Sequence, residues 1–269
     1  MNNPELHYYD ISPNVIAFSS TRHGGVSEGN YRSFNINKYC EDNPKHIEEN
    51  RKALAETLGL DVSRLIVPHQ IHSVESRMIA EEYFNLPENI RLQIIEGVDA
   101  VITNAKNVCI GVSTADCIPI LIYDPEHHAA AAIHAGWRGT LKHIVMKTVK
   151  EMQLNFQTDV AKLKAVIGPG ISLKNFEVGQ EVYDQFAQAN FDMQRLAKLY
   201  PISQPKECEP PMKWHIDLKL SNRFDLETMG VQSENIIDEG ICTYDSPDFF
   251  SARKLGINSG RIYNGIVLK

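Results

Sequence analysis

The sequence predicts an α+β fold in which mixed sheets carry helices on their outer faces. Three observations lead there. Short apolar runs of strand length recur between turn residues. Other stretches space their apolar residues at helical intervals. The two kinds follow one another without strict alternation, which argues against a regular doubly wound sheet. In chain order, a first strand is expected near Asn14 to Ser19. Asn43-Pro44 then reads as an N-cap with proline at the first helical position, and Gly59 as the stop; Ile47, Leu54 and Leu58 share a face of that helix. Strands are expected near Arg64 to Val67, and over Val108 to Ser113, Ile118 to Tyr123 and Ala129 to His134. A second helix is expected after Gly139, with Leu141, Ile144, Val145, Val149 and Met152 at helical spacing. A strand over Leu163 to Gly168 precedes a third helix carrying Val178, Val182 and Phe186. Tyr200 to Lys213 holds four prolines and reads as an ordered loop or a flap. A fourth helix is expected from near Asp217 with Phe224 inward, and a last strand within Asn258 to Val267.

Composition bounds the function classes. The chain has 269 residues, a formal net charge of −7, 43% hydrophobic and 23% charged residues. One domain over 1–269 is expected in preference to two lobes, and a core of this size needs no covalent staples. The acidic balance argues against a general nucleic-acid binder. No apolar run approaches the ~18 residues of a membrane span. The opening MNNPELHYYD lacks a basic region followed by an apolar one, so no secretory signal is expected. Five cysteines, widely spaced and without C-x-x-C, fit neither a disulfide framework nor a zinc ribbon. A reducing cytoplasm is the expected compartment. No exposed helical seam stands out, so a monomer is expected.

Three segments place reactive side chains at strand ends: VPHQIHSVE with His69, Gln70 and His72, STADCIPI with Asp116 and Cys117, and AAIHAGWRG with His134 and Arg138. His72, Cys117 and His134 form a Cys-His-His set separated by 45 and 17 residues. Two neutral imidazoles and a thiolate suit a tetrahedral Zn²⁺ and leave a position for water or substrate; copper also accepts these ligands. The spacing alone favours three unconnected residues, a core cysteine and two hydrogen-bonded histidines.

TRHGGVSEGNYRSFNI (21–36), QIH (70–72), GVDAVIT (97–103), TADCIPI (114–120), HAGWRG (134–139), IGPGI (167–171), FEVG (176–179), and CT with FFSARK (242–254) follow one another in that order. Together they resemble the multi-copper-polyphenol-oxidase-like, or laccase-domain, family, which includes bacterial purine nucleoside phosphorylases. The resemblance spans essentially the whole chain. It implies an α/β/β/α-layered domain and a Zn²⁺ held by His72, Cys117 and His134. It implies phosphorolysis of adenosine, inosine and S-methyl-5′-thioadenosine, with adenosine deamination as a second activity, so purine nucleoside and phosphate are the expected partners. A multi-copper laccase needs many paired histidine ligands, and only ten histidines are spread over this chain. The chain departs from the family pattern at Phe176, where Tyr is usual, at Gly170, where Cys is common, and at Ala252, where an aromatic is common.

Roles follow from that implied chemistry. Phosphorolysis needs an anion held, a sugar held and charge on the departing base stabilised. Arg138, between Gly136 and Gly139 ahead of a helix, and Arg22, in TRHGG, are the candidate phosphate cations; either can instead bind a carboxylate of the protein. Asp116 either orients a histidine ligand or caps its turn. His69 is a candidate proton carrier or a plain surface histidine. Glu177 either serves the purine or the first turn of its helix. Trp137 either stacks on a base or belongs to the core. Three other functions compete: a cysteine hydrolase acting on cell-wall peptide precursors with Cys117 as nucleophile, a copper-dependent polyphenol oxidase, and a binding domain with a structural zinc.

Overall fold

The computed structural model describes residues 3–202 and 211–269. Its strands are, in chain order, β1 (Leu6–Tyr9), β2 (Val15–Ser20), β3 (Leu65–Ile66), β4 (Ser76–Met78), β5 (Ala100–Thr103), β6 (Cys109–Thr114), β7 (Ile118–Asp124), β8 (Ala129–Ala135), β9 (Lys164–Ile167), β10 (Glu177–Val178), β11 (Ala197–Pro201), β12 (Met212–Ile216), β13 (Ile236–Asp238) and β14 (Ile262–Leu268). A five-stranded sheet has the order β1-β2-β14-β6-β3, and a six-stranded sheet the order β13-β9-β7-β8-β5-β4. Both are mixed. β3 runs parallel to β6, and β4 and β13 parallel to β5 and β9, while the other pairs are antiparallel. A small antiparallel sheet, β10-β12-β11, completes the set.

Side-chain alternation turns these sheets into layers. Along β7, Ile118, Ile120 and Ile122 pack with Val145, Val149 and Leu226 of the helices Ile144–Phe156 and Leu218–Met229. Leu121 and Tyr123 face the other way, against Ile110, Val112 and Ile266 of the five-stranded sheet. That sheet turns its outer residues, Phe18, Cys109 and Tyr263, toward Leu54 and Leu58 of the helix Pro44–Leu58. The order is therefore helix, sheet, sheet, helices, the layering that the resemblance implied.

The helix Pro44–Leu58 forms as its caps require: the Asn43 side chain accepts from Lys45 N, and Gly59 takes a left-handed φ of 68°. Four expectations change. The helix expected after Gly139 is two helices, Trp137–Leu141 and Ile144–Phe156, broken at His143, whose φ is 54° and whose Nδ1 lies 2.8 Å from Asp225. Val178 belongs to β10, and the third helix is Gln180–Gln188. Phe224 is only half-buried and carries the Arg195 guanidinium over its ring, while Leu218 and Leu226 supply the apolar contact. The ends of the Tyr200–Lys213 segment are strand residues of β11 and β12, and residues 203–210 lie outside the described ones. No helix among the described residues is long and apolar enough to cross a membrane.

β6 lies in one sheet and β7 in the other, so the three residues between them, Ala115, Asp116 and Cys117, carry the chain across the end of the sandwich. Gly111 in β6 is what lets Tyr263 lie flat there: a Cβ would stand 2.4 Å from the tyrosine ring and 2.7 Å from the Asn264 carbonyl oxygen. Gly111→Ala is expected to lower unfolding stability by about 1–3 kcal/mol through overpacking. A denaturant melt with an unchanged midpoint would show that the sheet relaxes freely at this point.

Candidate metal centre

Three strand ends converge on one point. Cys117 lies on the crossing turn, directly before β7. His134 is the penultimate residue of β8, paired across the ladder with Pro119, two residues after Cys117 in the chain. It shares the parity of Ala130 and Ala132, which face the space between the sheets, so its ring closes the end of that layer. His72 comes from the loop before β4, with a φ of 61° in the left-handed region that a non-glycine residue seldom occupies. The ligand atoms of His72, Cys117 and His134 all lie within 4.8 Å of one another. Cys117 Sγ is 3.8 Å from His72 Nε2, and the two imidazole rings meet edge to face with centroids 4.8 Å apart. Among the described residues no further His, Cys, Asp or Glu side chain joins the cluster.

Asp99 holds this arrangement. It is fully buried just before β5. Its Oδ2 accepts from Ser73 N and Ser73 Oγ, each at 2.7 Å, and from Ile71 N at 3.3 Å. Its Oδ1 accepts from His72 N at 3.1 Å and from His134 Nδ1 at 2.7 Å. Three consecutive amides thus wrap one carboxylate, which fixes the turn that presents His72. The same carboxylate takes the Nδ1 proton of His134 and leaves Nε2 as that ring's ligand atom. Burial alone would raise the Asp99 carboxyl, but the His134 hydrogen bond and charge, with the Ser73 donors, hold it at about 2. Burial would likewise raise the Cys117 thiol. The charge and hydrogen bond of His134 outweigh this, with His72 adding to them, and bring it to about 6. His134 rises to about 9 against its own burial, through Cys117 first and Asp99 next. The two groups thus favour each other's charged forms, which makes Cys117 a ready thiolate donor.

The donor set fits a metal ion. Two imidazole nitrogens and one thiolate sit at ligand spacing, with Asp99 behind one ring. Gly136 keeps the space clear, since a Cβ there would stand 3.0 Å from both Cys117 Sγ and His72 Cδ2. The three residues line a cavity of about 220 Å³ shared with Asn37, Tyr39, His69, Gln70, Ser113 and Arg261, among others. Gln70 is clamped to β6, donating to Ser113 O and accepting from Ser113 N. His69 stacks on Tyr39 at 4.2 Å, with its Nδ1 2.5 Å from Glu96 Oε1. Ala252 also lines this cavity.

Other expected site residues stand elsewhere. Asp116 does not orient a histidine. Its oxygens accept from Thr243 Oγ1 and Arg253 N, each at 2.7 Å, and anchor the crossing turn to the C-terminal segments. Asp99 does the orienting, and only its place in GVDAVIT could have flagged it. Arg22 donates through Nε to Arg32 O at 3.1 Å and lies over the Phe250 ring. Arg138 is exposed over the Trp137 ring, inside the short helix rather than ahead of it. Trp137 is half-buried against the helix-side core. Glu177 forms an ion pair with Lys213 at 2.8 Å. None of Arg22, Arg138, Glu177 or Trp137 lines the cavity; its arginine is Arg261, which the sequence did not single out.

Residues 16–269 match the family described as multi-copper polyphenol oxidoreductase laccase. The chain is 44% identical to a purine nucleoside phosphorylase of Bacteroides thetaiotaomicron, over 98% of this chain and 96% of that one. It is 38% identical to adenosine deaminase RL5 of an unknown prokaryotic organism, over 98% and 99% of the two chains. The crystal structure of the Bacillus licheniformis hypothetical protein YfiH superposes with a TM-score of 0.84 at 26% identity, covering 99% of this chain and 97% of that one.

Two outcomes are expected. In metal-free protein the rate of Cys117 alkylation by iodoacetamide rises with pH around a midpoint of about 6; a midpoint at the ordinary ~8.5 would remove the thiolate–imidazolium pair. Asp99→Asn weakens zinc affinity by about 10–100-fold in a chelator competition, and an unchanged affinity in the folded variant would take Asp99 out of that role.

Proposed function

The chain belongs to this laccase-like family, and from that membership we propose that it is a zinc-dependent purine nucleoside phosphorylase, one domain over 1–269. Adenosine, inosine and S-methyl-5′-thioadenosine are the proposed substrates, with adenosine deamination as a second activity. The observation that carries the reading is the convergence of His72, Cys117 and His134 on the wall of a cavity that also presents a cation and polar side chains. The names of the relatives, phosphorylase and deaminase, support it.

His72, Cys117 and His134 would hold the ion. Zinc, when bound there, acts as a Lewis acid or lowers the pKa of a bound water to ~7. Zinc is favoured over a set of coppers because the described residues offer one such cluster rather than several. Arg261 supplies the anion site. Its guanidinium is held by the carbonyl oxygens of Ile257, Ser259 and Gly260, which fix its position without neutralising its charge. Ser113 Oγ is buried behind the cavity wall without a partner. With Nδ1 of His69 held by Glu96, its Nε2 is left to exchange a proton with the departing purine. In phosphorolysis, phosphate oxygen bonds to the anomeric carbon as the bond from that carbon to the purine breaks. Holding phosphate at Arg261 and the sugar beside it is the positioning this requires.

A second reading has its own observation: Cys117, His134 and Asp99 form a thiolate–imidazolium–carboxylate series, the arrangement of a cysteine hydrolase.

Purified protein is expected to contain stoichiometric zinc. It is expected to convert adenosine to adenine and ribose 1-phosphate only when phosphate is added, with inosine as the deamination product. Cys117→Ala is expected to lose metal and turnover together. Absent zinc with a covalent substrate adduct on Cys117 would transfer the assignment to the hydrolase. Arg261→Met is expected to raise the apparent KM for phosphate at least about tenfold, which corresponds to ~1.4 kcal/mol; an unchanged KM would take Arg261 out of the phosphate role.

A further inference from the structure

A second cavity, of about 330 Å³, lies between the helices Pro44–Leu58 and Glu88–Ile94, outside the metal-ligand cluster. Its apolar lining is Val62, Leu65, Val67, Leu92 and Ile95 with the Tyr83 ring. Lys38, Arg51 and Arg91 line it as well. Among the described residues, no carboxylate lies within ion-pair distance of any of these three cations.

Arg51 is the most informative. Its Nη2 donates to Leu65 O at 3.3 Å, while Nη1 is buried with no partner. Arg91 Nε is buried and unpartnered in the same way. A guanidinium taken out of water without a counter-charge is strongly unfavourable, and arginine is the cation whose planar fork suits a carboxylate or phosphate. Burial pushes Arg51 below its ordinary value, in line with that cost. Two carboxylates also line the cavity. Glu48 is engaged by Lys52 at 2.6 Å, while Glu88 and, beyond the lining, Glu96 act on Lys38. The two guanidiniums are therefore the cations left without a counter-charge, and their open donors suit the oxygens of a phosphate.

We propose that this cavity binds a small phosphate monoester of sugar-phosphate size, with the phosphate between Arg51, Arg91 and Lys38 and the carbon skeleton against the Leu65–Ile95 wall. The site is separate from the metal cavity but shares a partition with it. Lys38 stands between Asn37 and Tyr39, and Ile95 precedes Glu96, the partner of His69.

The test is calorimetric titration of the metal-loaded protein with ribose 5-phosphate, with ribose as the uncharged control. One binding event is expected with the ester and none with ribose. Lys38→Gln and Arg51→Met should each weaken it at least tenfold, and Lys38, being exposed, can be replaced without disturbing the core. Cys117→Ser and Arg261→Met, which disable the other cavity, should retain it, so failure of the phosphorylase assignment would leave this result standing. No binding, or binding that Lys38→Gln and Arg51→Met leave intact, would overturn the proposal, as would loss of binding in a folded Arg261→Met protein.

Discussion

One buried carboxylate organises the candidate centre. Asp99 accepts from the amides of Ile71, His72 and Ser73, from the Ser73 hydroxyl and from the His134 ring. An ionised carboxylate with no access to water is tolerable only when its lone pairs are filled, and here five donors fill them. The interaction works in both directions. The donors keep the charge in place, and the charge forces an otherwise uncommon backbone conformation on His72 while selecting which nitrogen of His134 remains free. Cys117 then inherits a low thiol pKa from the imidazole that Asp99 supports.

Much of this was legible in the sequence, and the reasons are local. Caps such as Asn43 with Pro44 and Gly59 act within one turn of chain, so they can be read from neighbours alone. The apolar runs of β7 and β8 are buried on both faces and read as continuous hydrophobic segments. His72, Cys117 and His134 stood out as reactive types at strand ends, and the order of the motifs around them tied them together. What could not be read depended on distant partners. Asp99 looks like one polar residue ahead of an apolar strand, and its donors lie more than twenty residues away in the chain. Arg261 joins the cavity lining only once β14, which it precedes, is in place. Asp116 sits beside the key cysteine in the chain, yet its carboxylate turns toward Thr243 and Arg253. Short edge strands such as β4, β10 and β13 carry too few residues for a period to emerge.

The two cavities differ in how they treat charge. In the candidate metal cavity, His69 has Glu96 beside it and His134 has Asp99, while Arg261 is held by carbonyl oxygens. Between the two helices, Arg51 and Arg91 keep orphaned donors in a partly apolar space. Buried cations of that kind are costly to keep, which makes them more informative than a surface cluster of equal charge.

The position of β14 has a consequence for how the molecule comes into being. This strand, residues 262–268, is synthesised after every other strand described, yet it lies between β2 and β6 near the middle of the five-stranded sheet. Until β14 is in place, β6 lacks one of its two neighbours, and the turn it leads into, with its cysteine, lacks a firm base. Assembly of the ligand cluster therefore waits on a pairing between strands far apart in the chain, the slow kind of contact to form.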